Sequence, residues 1–399
     1  ARGISPGRLT WCQFRKNGVA MGGLSVILLA FLISITGYMI SPDNTPNANT
    51  QILEIALEKP GFSCDFLKVR RNEQPDPPGF LETIIAGRPA EHRYVPFLSM
   101  RMEGDRVVVR EYSPYSDDRF YSEFRLVDIL YPVGRSGYTY DKNREEVRAH
   151  LMDGREVEVD IGTLRERVRD EHVVKKRFLL GTDRFGRDML SRLILGTRVS
   201  LSVGFVAVSI SLLVGLLLGG IAGYFRGWID RAIMWLVNVV WSVPTLLMVI
   251  AITLVLGKGY WQVFVAVGMT MWVEVARVVR GQVLGLREKE FIESARAMGM
   301  RSSGIIFRHI IPNTFSPVII ISAANFATAI LLEAGLSFLG IGVQPPVPTW
   351  GGMVKEHYGY IIVDQGYLAF IPGLAIMLMV LSFTLVGNGL RDAMDTRAR

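Results

Sequence analysis

Residues 288–313 read Glu288-Lys-Glu-Phe-Ile-Glu-Ser-Ala-Arg-Ala-Met-Gly299, then Met300-Arg-Ser-Ser-Gly-Ile-Ile-Phe-Arg308, then His309-Ile-Ile-Pro-Asn313. They are the longest strongly charged stretch in an otherwise apolar C-terminal half. At about 100° per residue, Phe291, Ala295 and Met298 share one helix face with Ile292 beside them. Lys289, Glu290, Glu293 and Arg296 fall on the other face, where Lys289 and Glu293 are spaced to pair. Gly299 suits a helix stop, and Ser302 suits the cap of a second short helix running to Pro312. Two short amphipathic helices meeting at a glycine, between two apolar runs, predict a docking platform.

Working outward, the chain has 399 residues, half of them hydrophobic, with a net charge of +7. It carries several charge-free runs longer than about twenty residues, which mark an integral membrane protein. Residues 41–198 hold 26 basic and 27 acidic side chains, whereas the remainder holds 18 and 10. That imbalance predicts that 41–198 is exported and that the short loops are cytoplasmic. No basic stripe sits on a soluble domain, so nucleic acid is not an expected partner. Cys12 and Cys64 fall on opposite sides of the membrane in this topology and should not pair. The five histidines are scattered, with no CxxC or HExxH, so neither a metal site nor a catalytic constellation is expected.

Residues 1–18 are polar and basic. Val19–Ile40 then runs without a charge for about 33 Å as a helix. It is too long for a signal-peptide core and lacks a small-residue cleavage site after it, so it reads as the first span. Further spans are expected at Val199–Phe225, Ala232–Gly257, Tyr260 to about Val279, Thr314–Leu332 and Leu368–Leu390. Gly215, Gly219, Gly220 and Gly223 allow close helix approach in the second. Arg226–Arg231 reads as a tight cytoplasmic turn and Lys258 as a short outer loop. Pro244 should kink the third span. Glu274 lies near the inner end of the fourth, where an i,i+3 pair with Arg277 is expected, and a path-lining role is the sharper alternative. Glu333 ends the fifth span and is placed on the translocation path, with a hydrogen bond fixing the following Gly-rich segment as its other reading. Ala334–Gly342 and the proline-rich segment to Gly351 read as an outer loop or re-entrant turn.

The exported segment predicts a small α+β or β-rich subdomain. Strand-like runs occur at Arg106–Arg110, Phe124–Tyr131 and Val147–Val159, the last split by Asp153-Gly154 as in a hairpin. Arg101–Arg106 is a second turn candidate, and Gln74–Pro78 is a break. His92, His150 and His172 read as surface residues. Gly181, Thr182, Asp183, Gly186, Arg187 and Asp188 form an interfacial motif, in which Asp183, Arg184, Arg187 and Asp188 can make an ion-pair cluster on an interfacial helix.

Several of these motifs carry a family resemblance. Glu293-Ser-Ala295, Gly299 and His309-Ile-Ile-Pro312 resemble the Glu-Ala-Ala loop of ABC importer permeases, whose pattern is E-A-A-x3-G-x9-I-x-L-P. Ser294 replaces the middle alanine, His309 the isoleucine and Ile311 the leucine. The ending through Asn313 resembles the peptide and nickel branch. Gly181–Asp188, the run Glu333-Ala-Gly-Leu-Ser-Phe-Leu-Gly340, Trp350-Gly351 and Gly389-Leu-Arg-Asp392 resemble further family motifs, in the family's order and over about 17–40 and 178–395. The family's loop corresponding to 41–178 is much shorter.

The resemblance implies six transmembrane helices, one at 19–40 and five in the permease core at 179–395, with the subdomain 41–178 inserted. The tail would be 396–399. It implies a bacterial inner-membrane, multi-pass protein with both termini cytoplasmic. The implied partners are a homologous second permease, two ATP-binding subunits and an extracytoplasmic binding protein delivering peptides. Glu293, Ala295, Arg296, Gly299, Pro312 and Asn313 would form the ATPase-coupling site. This chain has no G-x4-G-K-[S/T] phosphate loop, so ATP and Mg would be bound by the partner and no cofactor is expected here. Two other classes of protein would leave different signs. A secondary transporter or channel should show paired intramembrane acids or inverted repeats of broken helices, and neither is evident. A membrane-anchored binding module would need one span rather than six.

Overall fold

The computed structural model describes residues 6–72, 76, 78–113, 120–141, 143–257 and 259–394. The loop expected at Lys258, most of the break at Gln74–Pro78 and the residues after Met394 lie outside the described residues. The chain divides into two compact units, Thr36–Leu195 and a second made of Ala1–Ile35 with Gly196–Arg399. The first extends past both ends of 41–178.

The chain begins with α1 (Pro6–Phe14) and α2 (Gly18–Ile40). In the strand-rich unit, β1 (Phe62–Arg70), α3 (Phe80–Ala86), β2 (His92–Glu103), β3 (Arg106–Glu111), β4 (Tyr121–Arg125) and α4 (Leu126–Leu130) follow. Next come β5 (Val133–Asp141), β6 (Glu146–Leu151), β7 (Glu156–Asp160), α5 (Ile161–Arg167) and β8 (Val173–Phe178). One antiparallel sheet has the order β4-β3-β2-β1-β8, and a second is the meander β5-β6-β7. Alternation aims Val107 and Val109 of β3, and Val147 and Ala149 of β6, into a core shared with Leu126, Ile129, Ile161 and Leu164. Both expected hairpin turns form, with Gly104 and Gly154 at positive φ. The strand expected over Phe124–Tyr131 ends at Arg125. Leu126, Val127, Ile129 and Leu130 instead form one buried helical turn, because a short apolar run fits either period until its neighbours fill the space.

The second unit continues with α6 (Met189–Phe225), α7 (Gly227–Ser242), α8 (Thr245–Leu256) and α9 (Tyr260–Leu286). After them come α10 (Glu290–Ala297), α11 (Ser302–Ile305), α12 (Ile311–Asn313), α13 (Phe315–Leu339), α14 (Trp350–His357) and α15 (Tyr367–Met394). Among the described residues, five helices are long and apolar enough to cross a membrane: α2, α6, α9, α13 and α15. The expected third span is not one kinked helix. It is the pair α7 and α8, bent by 94°. Pro244 offers no N–H, and Val243 before it is held extended (φ −91°, ψ 129°), so the helix stops and restarts. The expected turn at Arg226–Arg231 shrinks to Arg226 at φ 56°, after which α7 begins.

Close packing in this unit rests on small residues. A Cβ at Gly215, Gly219 or Gly223 would lie 2.5, 2.4 or 2.7 Å from Val275, Ala276 or Val283 of α9. These three glycines, four apart, form one face of α6, whereas Gly220 looks elsewhere. At Gly389 of α15 a Cβ would lie 2.3 Å from that of Ala20 in α2.

Candidate functional site

The platform forms as an elbow. α10 ends in a C-cap where Gly299, at φ +79°, donates its N–H to the Arg296 carbonyl at 3.0 Å. Met300 donates to the Ala295 carbonyl at 3.1 Å, which completes the paired bonds of a left-handed helix stop. The second arm runs from Ser302, with Arg301 rather than Ser302 at the N-cap position. It passes through a π-type turn at Ile306–Ile310 into α12. Pro312 cannot donate to the carbonyl one turn back, and the Asn313 side-chain amide donates to the His309 carbonyl at 2.6 Å.

Burial corrects the expected inner face. Ile292 and Ala295 of α10, and Ile305, Ile306 and Ile310 of the second arm, pack with Tyr224, Val275, Val279, Val283 and Val318. Each fully buried isoleucine contributes on the order of 1.5–3 kcal/mol. Phe291 and Met298, expected to face inward, are exposed together with Phe307. The apolar face is centred on Ile292 because the elbow turns the second arm against that side. Glu293, Arg296, Gly299, Pro312 and Asn313 are exposed, whereas Ala295 is buried. Arg296 lies 5.5 Å over the Tyr224 ring.

Charged pairs that the spacing did not reveal fix the elbow to the helix bundle. Arg226 meets Glu288 at 2.6 Å, and Arg287 donates to the Tyr224 carbonyl at 2.6 Å. Arg280 forks onto Asp230 at 2.5 and 2.7 Å. Residues 50 to 63 apart in sequence leave no local signal of such contacts. The result is a rigid projection with three exposed apolar side chains among charged groups, suited to seating in a complementary cleft.

The other predicted residues separate. Glu274 is exposed on α9, which continues to Leu286 rather than ending near Val279. It lines a cavity of ≈ 100 Å³ with Trp241, Val243, Thr245, Thr270 and Thr328, beside the Pro244 break. The expected Glu274–Arg277 pair does not form among the described residues, and the Arg277 guanidinium lies 3.7 Å over Trp241 instead. Glu333 lies within α13, which runs on to Leu339, so residues 334–339 are helix rather than loop. Its side chain is fully buried and accepts the Ser337 hydroxyl at 2.6 Å. This bond is the kind that the hydrogen-bonding reading expects, made within the helix.

In the strand-rich unit, Gly181–Asp188 is a buried loop ahead of α6 rather than part of a helix. Asp183 accepts the N–H groups of Phe185 and Arg187 at 2.8 and 3.0 Å and the Arg187 side chain at 2.5 Å. Thr182 accepts the Glu58 N–H at 2.9 Å, and Asp188 accepts the Ser191 N–H at 2.8 Å. Gly181 and Gly186 have positive φ, and Gly186 sits so close to Ile52 that a Cβ would lie 1.7 Å from its carbonyl oxygen. Burial pushes the Asp188 carboxyl above its usual range. His172, expected at the surface, is buried and bonds the Lys68 carbonyl at 2.7 Å, with its ring 5.6 Å from that of His92. Cys12 and Cys64 are both free.

The bundle, its broken helix pair and the projecting elbow define a polytopic permease. Residues 215–399 match the family model "binding-protein-dependent transport system inner membrane component", and residues 5–60 match "N-terminal TM domain of oligopeptide transport permease C". The glutathione transport system permease protein GsiD of Pectobacterium atrosepticum is 42% identical over 220 residues, covering 55% of this chain and 73% of that protein. The dipeptide transport system permease protein DppC of Alkalihalophilus pseudofirmus is 42% identical over 219 residues, covering 55% and 72%. A solved structure of the MetNI methionine ABC transporter in an inward-facing conformation aligns with 51% of this chain and 97% of its own, at 20% identity and TM-score 0.42. The chain belongs to the binding-protein-dependent transport system inner membrane component family. It is a permease subunit of an ABC importer.

Proposed function

We propose that this subunit forms half of a translocation pathway for short peptides and is driven by a separate ATPase seated on the 288–313 elbow. The observation that carries the reading is the closed helix stop at Gly299, which holds Phe291, Met298 and Phe307 exposed on a rigid arm. Its base is packed against α9 and the start of α13, so a push on the elbow would pass directly to those helices. Work would enter mechanically, because the chain has no phosphate loop of its own. The names of the relatives, for dipeptide and glutathione permeases, support peptides as the cargo class. A second permease, two ATP-binding subunits and a binding protein would complete the assembly. The elbow and both termini would face the cytoplasm of a bacterial cell, and the strand-rich unit would lie outside the inner membrane.

Isolation from membranes in mild detergent tests this reading. The wild type should co-purify with an ATPase, and Glu293→Lys should lose it while still inserting. An undiminished yield of ATPase with Glu293→Lys overturns the coupling assignment. Labelling of Cys12 by a membrane-impermeant maleimide in intact spheroplasts should fail and should succeed after lysis. The reverse pattern overturns the topology.

A further inference from the structure

A groove of ≈ 650 Å³ in the strand-rich unit is lined by Arg70, Arg71, Asn72, Arg93, Arg125 and Asp128. Strand register builds it. Arg93 of β2 lies opposite Val69 of β1, Arg70 lies opposite His92, and Arg71 donates its N–H to the Glu91 carbonyl at 2.9 Å. Arg93 therefore shares a face with Val69, and Arg71 follows at the end of that strand, whereas Arg70, opposite His92, belongs to the other face and reaches only the rim. Arg125 closes the opposite wall from the residue preceding α4, its guanidinium 4.7 Å over the Tyr138 ring.

The charges here are unbalanced in a unit that is otherwise nearly neutral. Several other arginines of the unit have carboxylate partners: Arg106 with Glu123, Arg148 with Glu158, Arg155 with Asp153 and Arg167 with Glu171. The four groove arginines are exposed and form no ion pair among the described residues. The one lining carboxylate, Asp128, is pushed up by burial, an effect that Arg125 only partly offsets. Each guanidinium presents a planar fork of N–H donors matched to a phosphate or carboxylate edge. Concave walls favour a compact guest over a flat protein face.

We infer that this groove is a binding site for a compact, multivalent phosphate-type anion, held by Arg71, Arg93 and Arg125. The guest chemistry is shared by a diphosphate-bearing lipid headgroup and a soluble polyphosphate, and the site is independent of the transport reading. The test uses the full-length protein in detergent, titrated calorimetrically with inorganic pyrophosphate, and in parallel native mass spectrometry after exposure to cardiolipin. Arg71→Glu/Arg93→Glu should weaken pyrophosphate binding by about tenfold or more, or strip retained cardiolipin. Arg101→Glu/Arg110→Glu, the same change of charge outside the groove, should do neither. Arg93→Lys keeps the charge but loses the fork and should weaken binding several-fold, with thermal melting confirming that each variant is folded. Loss confined to pyrophosphate identifies a soluble guest, and loss confined to cardiolipin identifies a lipid. Equal loss in both double variants, or no binding of either probe to the wild type, including the case where only an acidic protein is retained, overturns the site.

Discussion

Arg280 grips both carboxylate oxygens of Asp230, at 2.5 and 2.7 Å, although the two lie 50 residues apart. The pair joins the start of α7 to the part of α9 that carries the elbow, and it is mostly shielded from solvent. Bidentate charge-assisted bonds of this kind outweigh exposed ion pairs. Asp230→Asn should lower the stability of the bundle by about 1–3 kcal/mol, read as a lower thermal midpoint in detergent. Arg280→Lys, which loses the fork, should fall between that variant and the wild type. An unchanged midpoint in Asp230→Asn would show that the contact is incidental.

Gly299 has open space where a Cβ would go, so its constraint is conformational alone. Gly299→Ala should cost about 1 kcal/mol and loosen the elbow, while Gly299→Asn, which tolerates the left-handed region, should cost less. Gly299→Asp should abolish uptake in cells carrying the complete transporter without preventing insertion. Full uptake by that variant contradicts coupling through the elbow.

Gly186 is limited by space as well as by φ. A methyl group there meets the backbone oxygen of Ile52, which cannot swing away as a side-chain tip could. Gly186→Ala should destabilise the strand-rich unit by about 4 kcal/mol or more and expose it to limited proteolysis. Gly61→Ala, at a similar positive φ but in open space, should cost only about 1 kcal/mol and resist digestion.

His92 and His172 lie ring to ring, and both titrate below the ordinary histidine range. Burial is the first cause for each; the neighbouring His172 and the Lys68 charge then lower His92, while the bond to the Lys68 carbonyl offsets part of the burial effect on His172. Facing them are Lys68, Arg70, Glu91, Arg167 and Glu171. A histidine whose folded value is depressed stays neutral while the unfolded chain takes up the proton. The unit should therefore hold its full stability above the unfolded value of about 6.5 and lose it as pH falls below that value. Melting of the intact protein in steps from neutral pH down to pH 5 checks this. His172→Asn should flatten the acid limb.

The sequence by itself determined the class of protein. Long charge-free runs marked the apolar helices, the balance of charge set residues 41–198 apart from the rest, and Gly299 and Pro312 marked the elbow, because hydropathy and backbone constraints act locally. Only the tertiary structure decided which side of the elbow is buried, since Ile292 rather than Phe291 or Met298 faces the bundle once the second arm folds back. Pro244 was legible as a break but not as a 94° bend, whose size depends on what packs on either side. Glu333 carried the same signal as any acid in an apolar run. Its place inside a continuous α13, bonded to Ser337, follows from a helix that outlasts the hydropathy pattern. The Asp230–Arg280 pair and the arginine groove could not be read along the chain at all, because each is assembled from segments that meet only when the core closes.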